Sequence, residues 1–222
     1  MIESKSLTRN ILEHLRSQIV TCQLPGGQKL NEILLSSQLN VSRPPLREAF
    51  QILEQEHFIV SVPRKGRYVA KISQESYERV HEVKKMMECY AIDYLKANNI
   101  RNLAAVELAL VEVSKKPRPT EDPFEKLNYL EALFEFHVRL IDSVNNELLS
   151  FFYGTIRYNI SRYQYWLRVL QSPNLFAPNV INDIIEEHHK ILNLIKNGEY
   201  DDAKHYLMSH MDETLRLMKT NF

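Results

Sequence analysis

The N-terminal part of the chain carries apolar positions at helical spacing in three short segments. In the first, an apolar residue recurs every four positions: Leu7, Ile11, Leu15 and Ile19. This spacing predicts a helix, which the LPGG sequence at 24–27 ends. A second short helix is predicted from Asn31 to Leu39, with apolar residues at 33–35, and the tight connection Asn40-Val41 follows it.

A third helix and a hairpin complete this part of the chain. Ser42 has the side chain of a helix N-cap, and the prolines that follow it are tolerated in a first turn. The helix is predicted to run to about Gln55, with an inner stripe formed by Leu46, Ala49, Phe50 and Leu53. Two β-prone runs, 58–62 and 68–70, then flank a basic turn that contains a glycine, which predicts a β-hairpin.

From Ser73 onward the pattern is helical, with almost no strand signal. Helices are predicted at 75–97, 101–115, 124–145, 146–170, 178–196 and 199–220. The predicted fold class is therefore mainly α. Residues 1–72 form a winged helix-turn-helix of three helices plus a hairpin, and residues 73–222 form an all-helical bundle.

Composition and charge narrow the class of protein. The chain is 44% hydrophobic and 25% charged, which is typical of a globular protein, and no run is long enough to span a membrane. Its formal net charge is zero, but residues 1–72 carry 10 basic against 6 acidic side chains, so the rest is acidic. Cys22 and Cys89 form no CxxC pair, and the N-terminus lacks a signal peptide, so we expect a protein of the reducing cytoplasm.

The start of the third helix carries the chemistry of a DNA reader. Arg43 and Arg47 are four residues apart and share a helical face, and arginine binds guanine or phosphate in a bidentate manner. Ser42 is placed to contact a phosphate while it caps the helix. The alternative is that both arginines are solvated charges that pair with Glu48 or Glu54.

The hairpin turn adds a basic wing. It consists of Arg64, Lys65, Gly66 and Arg67, in which the glycine permits close backbone approach and the cations neutralise phosphate. The whole segment PGGQKLNEILLSSQLNVSRPPLREAFQILEQEHFIVSVPRKGRYV resembles the winged helix-turn-helix of the GntR family of bacterial transcription regulators. Asn40, Pro44 and His57 depart from the family pattern, and asparagine at the turn tolerates left-handed backbone.

Three histidines each lie on the apolar stripe of a different predicted helix: His137, His188 and His210. A single histidine in such a place is usually a core residue, but three in one bundle suggest a shared metal, because imidazole is a common ligand of Zn²⁺ or Ni²⁺. The segments 82–95, 136–149 and 186–211 resemble the FCD ligand-binding domain of the FadR-type branch. This resemblance implies that the three histidines are metal ligands. The other histidines are assigned to surface or boundary positions: His14, His57, His81, His189 and His205.

One position departs from the FCD pattern. The family's fourth ligand is an aspartate one turn before the first histidine, and that position is Leu133 here. Glu131 and Glu135 lie about 120–160° round the helix from His137, so neither substitutes. Two alternatives stay open: a three-histidine metal site completed by water or an effector carboxylate, and a metal-free pocket in which the histidines bind an anionic ligand directly.

Further polar residues are candidates for effector binding. Lys84 stands where family members often carry an arginine that faces the effector, although a surface pair with Glu88 is the simpler interpretation. Arg157 and Arg162 lie in the polar and aromatic stretch RYNISRYQYW, which either lines the pocket or faces outward toward solvent or a dimer partner.

Together these features predict a DNA-binding regulator rather than an enzyme. We expect a homodimer on a palindromic, double-stranded operator, acting as a repressor that a small carboxylate effector relieves, without any membrane partner. A hydrolase-like enzyme built on the three histidines is the rival, but no carboxylate beside them is placed as a general base. A third alternative is a regulator whose helical domain only dimerises.

Overall fold

The computed structural model describes the backbone of residues 2–222 and the side chains of residues 7–222. The chain divides into two compact units, one that ends at Ile72 and one that begins at Ser73. Within the described residues, no helix is both long and apolar enough to cross a membrane.

The first unit has three helices and a small sheet. The helices are α1 (Ile2–Val20), α2 (Glu32–Gln38) and α3 (Arg43–Gln55), and the strands are β1 (Lys29–Leu30), β2 (Ile59–Val62) and β3 (Gly66–Val69). The strand order is β1-β3-β2, antiparallel throughout, with Val62 opposite Gly66 at the hairpin end and Leu30 opposite Arg67. The predicted helices and hairpin are confirmed. Strand β1 was not predicted, because two residues are too few to show an alternating pattern.

The core of this unit packs Ile11, Leu15 and Ile19 of α1 against the predicted apolar stripe of α3, whereas Leu7 is 39% exposed. Ile19, Leu46 and Phe50 are fully buried, and burying each such side chain stabilises the fold by about 1.5–3 kcal/mol. Arg16 on α1 forms a bidentate ion pair with Glu56 just past α3, with Nη2 2.6 Å from Oε1. This ion pair joins the two helices at the end of their shared core.

The predicted second helix is present as α2, but its apolar run at 33–35 forms no buried face. Ile33 and Leu34 are 64% and 57% exposed, and α2 contains no buried residue. The helix is instead fixed at its start, where the Asn31 side chain accepts hydrogen bonds from the amides of Ile33 and Leu34. Asn40, in the turn to α3, has φ +50°, so it adopts the left-handed backbone that asparagine tolerates.

The second unit is a bundle of six α-helices among the described residues. They are α4 (Gln74–Ala97), α5 (Ala104–Lys115), α6 (Pro123–Asp142), α7 (Glu147–Tyr165), α8 (Pro178–Asn197) and α9 (Tyr200–Lys219). Gly198 ends α8 with φ +85°, as the Asn197-Gly198 pair predicts. Buried apolar residues from all six helices form one continuous core.

The sequence pattern predicts a helix over 146–170, but helix α7 ends at Tyr165. After Tyr165 the chain widens into a π-helical turn, Trp166–Gln171, and a 3₁₀ turn, Pro173–Phe176, then leads to α8. The Ser172 amide donates to the carbonyl of Leu167, five residues earlier, at 2.8 Å. Apolar periodicity does not distinguish a π turn from the α-helix that it extends, so the residue pattern carries no signal for it.

Candidate functional site

The N-terminal end of α3 is exposed and basic. Ser42 is the N-cap residue with extended backbone, but its side chain makes no capping hydrogen bond, so its hydroxyl is not used by the helix. Arg43 is exposed at the first position of α3, and Arg47 lies on the next turn with its side chain 55% exposed. These three residues have the position and chemistry that groove recognition by a helix-turn-helix needs.

A single carboxylate connects this helix to the wing. Glu32, the first residue of α2, accepts from Arg47 Nε at 2.8 Å through one oxygen and from Arg67 Nη1 at 2.7 Å through the other. Arg67 also lies over the Phe50 ring, with its guanidinium carbon 5.5 Å from the ring centroid. Arg47 therefore pairs with Glu32, on another helix, rather than with Glu48 or Glu54. Glu48 instead accepts from the Thr8 hydroxyl.

The wing turn exposes three of its four predicted residues. Arg64, Lys65 and Gly66 are exposed, whereas Arg67 is half-buried against α2 and α3. Arg64 and Gly66 have φ +64° and +105°, and the Lys65 amide closes the turn on the Val62 carbonyl at 3.0 Å. A tight, basic turn of this kind offers cations and backbone amides to a phosphate.

In the second unit, three helices bring the predicted histidines together. His137 comes from α6, His188 from α8 and His210 from α9, and one ring nitrogen of each lies within 4.8 Å of the others. His137 and His188 are buried, and His210 is half-buried. Phe136 stacks on the His188 ring at 4.3 Å between centroids, so the imidazole is held in one plane.

A buried carboxylate orients His137. Glu88 on α4 accepts from His137 Nδ1 at 2.8 Å, from Lys84 Nζ at 2.8 Å, and from the Tyr153 hydroxyl. Burial opposes ionisation of Glu88, but His137 and Lys84 outweigh it and hold its pKa below the usual range. Lys84 and Glu88 thus form the predicted i,i+4 pair, but in the core rather than on the surface, because Lys84 is only 7% exposed and Glu88 0%.

A second of the three histidines is also backed by a carboxylate. His210 Nδ1 lies 2.6 Å from Glu187 Oε2, and His210 Nε2 lies 3.3 Å from His188 Nε2. Hydrogen bonds from Nδ1 to carboxylates leave the Nε2 lone pairs of His137 and His210 available, and such pairs are typical of metal-binding histidines. The Nδ1 of His188 is buried without a hydrogen-bond partner among the described residues.

Electrostatics keep these rings in the form that a metal needs. Burial lowers the pKa of His137 to about 4, with Glu88 opposing that shift, and burial lowers the pKa of His188 well below its ordinary value. Both imidazoles are therefore neutral at pH 7, and the neutral ring is the one with a lone pair to offer.

The donor set fits a divalent ion such as Zn²⁺ or Ni²⁺. Metal–nitrogen bonds of about 2.0–2.1 Å in a tetrahedral shell put ligand nitrogens about 3.3 Å apart. The His188–His210 pair has this separation already. Leu133 lines the same space, one turn before His137, so it supplies no fourth ligand. Glu131 and Glu135 border a different pocket, as their angles on the helix predicted.

The histidines open into a cavity of about 700 Å³, its mouth included. Most of its wall is apolar, with Leu130, Phe134, Ile160 and Ile184 among the lining side chains. Its polar lining residues are Tyr77, His81, Lys84, Ser161, Gln164, Arg168, Thr214 and the three histidines. A mainly apolar cavity with a few converging polar groups is the usual form of a small-molecule site.

The structure places the predicted effector residues differently. Lys84 lines the cavity, but Arg157 and Arg162 do not. Arg157 pairs with Glu135 at 3.2 Å beside the second pocket, and Arg162 is buried in the bundle. In the stretch RYNISRYQYW five residues are buried and the other five are half-buried, and a guanidinium outside it, that of Arg168, reaches the cavity.

The assignment of His81 to a surface or boundary position is wrong. His81 is 5% exposed, lines the cavity, and donates from Nε2 to the Met211 carbonyl at 2.9 Å. Burial lowers the pKa of His81. It lies one turn before Lys84, and the sequence signal that could have found it is this i,i+3 spacing on the same helix as Lys84 and Glu88.

Each of the two units matches a known protein family. A model of bacterial regulatory proteins of the gntR family matches residues 7–69, and a model of the FCD domain matches residues 79–213, more than half of the chain. The chain belongs to the GntR family. Like the family and its named relatives, this GntR protein is a transcriptional regulator rather than an enzyme.

Individual relatives of this GntR regulator are distant in sequence. The HTH-type transcriptional regulator YdhC of Bacillus subtilis is 21% identical over 206 residues, which cover 92% of this chain and 88% of YdhC. The gluconate operon transcriptional repressor of Bacillus licheniformis is 24% identical over 64% of this chain and 57% of its own. A crystal structure of a GntR regulator from Rhodococcus sp. RHA1 has a TM-score of 0.76 at 19% identity, covering 98% of this chain and 99% of that one, which shows a common fold.

Proposed function

We propose that this regulator binds operator DNA through Ser42, Arg43 and Arg47 at the start of α3 and through the wing turn 64–67. The support is the exposure of Ser42, Arg43 and Arg47 on the helix and of residues 64–66 on the wing, together with the excess of basic residues in the first 72 positions. Arg43 and Arg47 face the major groove, and the wing contacts phosphates.

Two copies of the chain bind together on a palindromic site, since a two-fold symmetric dimer imposes its symmetry on the operator. Selection of bound sequences from random duplex DNA tests this, because the method assumes no operator sequence. An inverted repeat is the expected outcome. Enrichment of a single half-site, or of no sequence at all, would contradict the proposal.

The second unit senses a small organic acid through a divalent metal on His137, His188 and His210. One observation carries this: the three ring nitrogens lie within 4.8 Å of each other in a cavity, with Glu88 and Glu187 behind two of them. The ion supplies positive charge and an open coordination position for a carboxylate or water. The chain's own residues orient the rings, and burial keeps His137 and His188 neutral.

The effector acts as a ligand that favours one arrangement of the regulator over another. Its differential affinity for the DNA-competent and DNA-incompetent states sets how far operator affinity changes. The proposed sign is repression that the effector relieves, in line with the repressor named among the relatives.

The metal content of protein purified without a histidine tag tests the site. We expect about one Zn²⁺ or Ni²⁺ per chain, lost in the double variant His137→Ala/His188→Ala. His205→Ala is the matched control, because His205 is exposed on the same helix as His210. Retention of metal by the double variant would disprove the site.

A metal-free cavity is the second candidate, and Leu133 is the observation that favours it, because the residue in the fourth-ligand position cannot bind a metal. In that case the histidines bind the anionic effector directly. No metal uptake after incubation with Zn²⁺ or Ni²⁺, together with effector binding that the double variant loses, would establish this alternative.

A further inference from the structure

A polar stripe runs along one side of α7 into the π turn. Ser161, Gln164 and Arg168 are spaced three and four residues apart, and all three line the cavity that contains the histidines. Ser161 and Arg168 are 3% and 6% exposed. The stripe is separate in sequence from the histidines and from Lys84, and none of its members was predicted as a site residue.

Arg168 is a buried cation without a carboxylate in contact with it. Its Nε donates to Gln164 Oε1 at 2.8 Å and its Nη1 donates to the Leu175 carbonyl at 2.9 Å, and both acceptors are neutral. Among residues 7–222, no carboxylate lies within ion-pair distance of it, and Glu187 acts on it only from farther away. Burial lowers the pKa of Arg168, yet a guanidinium stays charged at any physiological pH.

Two of the three other buried cations among the described side chains are neutralised by direct ion pairs. Lys84 pairs with Glu88, and Arg16 pairs with Glu56. An ion taken out of water costs several kcal/mol unless an opposite charge compensates it, so Arg168 calls for a partner from outside the chain. The hydrogen bonds of Arg168 to Gln164 and Leu175, both neutral acceptors, hold the guanidinium in place and leave other N–H groups for that partner.

Ser161 supplies a second, independent sign of a missing acceptor. Its Oγ is buried and has no hydrogen-bond partner among the described residues, although a buried hydroxyl normally has one. Ser161 lies two turns before Arg168 on the same side of the helix and lines the same cavity. A hydroxyl donor and a guanidinium donor together suit an anionic oxygen acceptor.

We propose that the stripe formed by Ser161, Gln164 and Arg168 is the anion-binding subsite of the effector, and that the effector is a carboxylate with an apolar body. Arg168 binds the carboxylate, Ser161 donates a further hydrogen bond, and Gln164 holds Arg168 in place. This inference rests on the proposed role of the cavity as the effector site. It assigns the anion to α7 and the π turn rather than to Lys84, whose charge Glu88 already neutralises.

The apolar wall decides between classes of anion. Leu130, Phe134, Ile160 and Ile184 line the space around the polar groups, and hydrocarbon packs against them without the cost of burying further polar atoms. An inorganic anion would leave that wall uncovered. Linear monocarboxylates are therefore the probes of choice, and inorganic phosphate is the comparison.

The chain contains its own reporter for this subsite. Trp166 is the only tryptophan, and it lies in the π turn two residues before Arg168, stacked on Phe222. We would titrate protein stripped of metal by EDTA with hexanoate and with its neutral isostere hexanamide, following Trp166 fluorescence and the Tm. Removal of metal beforehand ensures that coordination of the carboxylate by an ion does not contribute.

The expected result is saturable binding of hexanoate and a rise in Tm, with hexanamide and phosphate binding weaker by about tenfold or more. Arg168→Gln lowers hexanoate affinity by about tenfold or more, Arg168→Lys restores part of it, and Ser161→Ala costs a few-fold. Arg157→Gln is the matched control on α7, outside the cavity, and leaves the affinity unchanged.

Three results would overturn the inference: no response to any linear monocarboxylate from butanoate to octanoate at millimolar concentration, equal affinity for hexanoate and hexanamide, or full affinity in Arg168→Gln. If Arg168→Gln fails to fold, Ser161→Ala still tests the subsite, because it removes only one oxygen and is expected to fold. Metal content is measured on the same samples. If the protein contains no metal but binds hexanoate in a manner that depends on Arg168, the metal proposal alone is disproved. If it contains metal but its hexanoate affinity does not depend on Arg168, this inference alone is disproved.

Discussion

The two units handle charge in opposite ways. In the first unit the arginines proposed to contact DNA are exposed or half-buried, and Glu32 holds Arg47 and Arg67 in a partly exposed network. In the second, Lys84, Glu88 and Arg168 are buried, and two of the histidines are kept neutral. Exposed charges adapt to a large polyanion and are screened by salt, whereas buried charges are fixed in place and select a small ligand by shape and sign.

The two sites therefore differ in what a ligand must displace when it binds. In the proposed DNA complex, Arg47 would exchange its ion pair with Glu32 for one with DNA at little cost, because a largely exposed pair contributes only about 0–1 kcal/mol. In the cavity, the buried charge of Arg168 has no carboxylate in contact with it among the described residues, and the proposed ligand supplies that carboxylate when it binds.

The largest effect is expected from Leu133→Asp. It buries a carboxylate in the cavity beside the histidines, so we expect the metal-free protein to lose about 3 kcal/mol or more of unfolding free energy. Added Zn²⁺ should restore the Tm to at least that of the parent protein, because the aspartate completes a four-ligand shell. Thermal unfolding with and without Zn²⁺ measures both.

Leu130→Asp is the control for this variant, since Leu130 lines the same cavity but lies a further turn of α6 away from His137. It should be destabilised without rescue by Zn²⁺. If Zn²⁺ does not rescue Leu133→Asp, the three histidines do not share an ion.

Arg47→Ala should weaken operator binding by about 1–3 kcal/mol and leave the fold intact, since its side chain is 55% exposed and its ion pair is with the surface residue Glu32. Fluorescence anisotropy on the selected operator, repeated over a range of salt concentrations, measures the loss. Arg79→Ala, an exposed arginine on α4 paired with Glu75, is the control. Unchanged binding at every salt concentration would remove Arg47 from the interface.

Glu187→Gln should weaken metal binding by about tenfold, because Gln cannot hold the Nδ1 proton of His210 as a carboxylate does. Competition with a colorimetric zinc chelator measures the affinity. Glu186→Gln changes an exposed neighbour on the same helix and should have no effect. Equal affinities in the two variants would mean that Glu187 does not act on the metal.

The smallest effect is expected from Glu32→Gln. It removes the carboxylate that competes with DNA for Arg47 and Arg67, so binding to random-sequence duplex should tighten a few-fold, with a steeper salt dependence. Discrimination between operator and random DNA should fall, because the two arginines lose their shared anchor. A weaker affinity for both DNAs would show that Glu32 acts only to support the fold.

The first unit was more predictable from sequence than the second for a physical reason. The wing and the helix-turn-helix are local structures. The positions of Arg43, Arg47 and Gly66 on a helix start or in a turn follow from residues close to them in sequence. The three histidines were also found, because each lies on the apolar stripe of its own helix. Their carboxylate partners Glu88 and Glu187 were not assigned that role, since these contacts join different helices across 49 and 23 residues.

Arg168 could not have been predicted by the same method. A helix that continued in the α register from 146 to 170 offers no reason to prefer Arg168 over Arg157 or Arg162, which were the predicted effector residues. Only the widened turn and the tertiary contacts with Gln164 and Leu175 place Arg168 in the cavity wall.

The widened turn also has a consequence for how such regulators diverge. A π turn accommodates one residue more than the α-helix that it interrupts, so a single-residue deletion between Trp166 and Gln171 would return the segment to α geometry. The chain beyond the turn would keep its orientation, because the π turn absorbs the extra residue, whereas side chains within the turn, Arg168 among them, would shift around the helix axis. The gain or loss of one codon here would therefore move Arg168 relative to the cavity wall while the rest of the bundle stays in place.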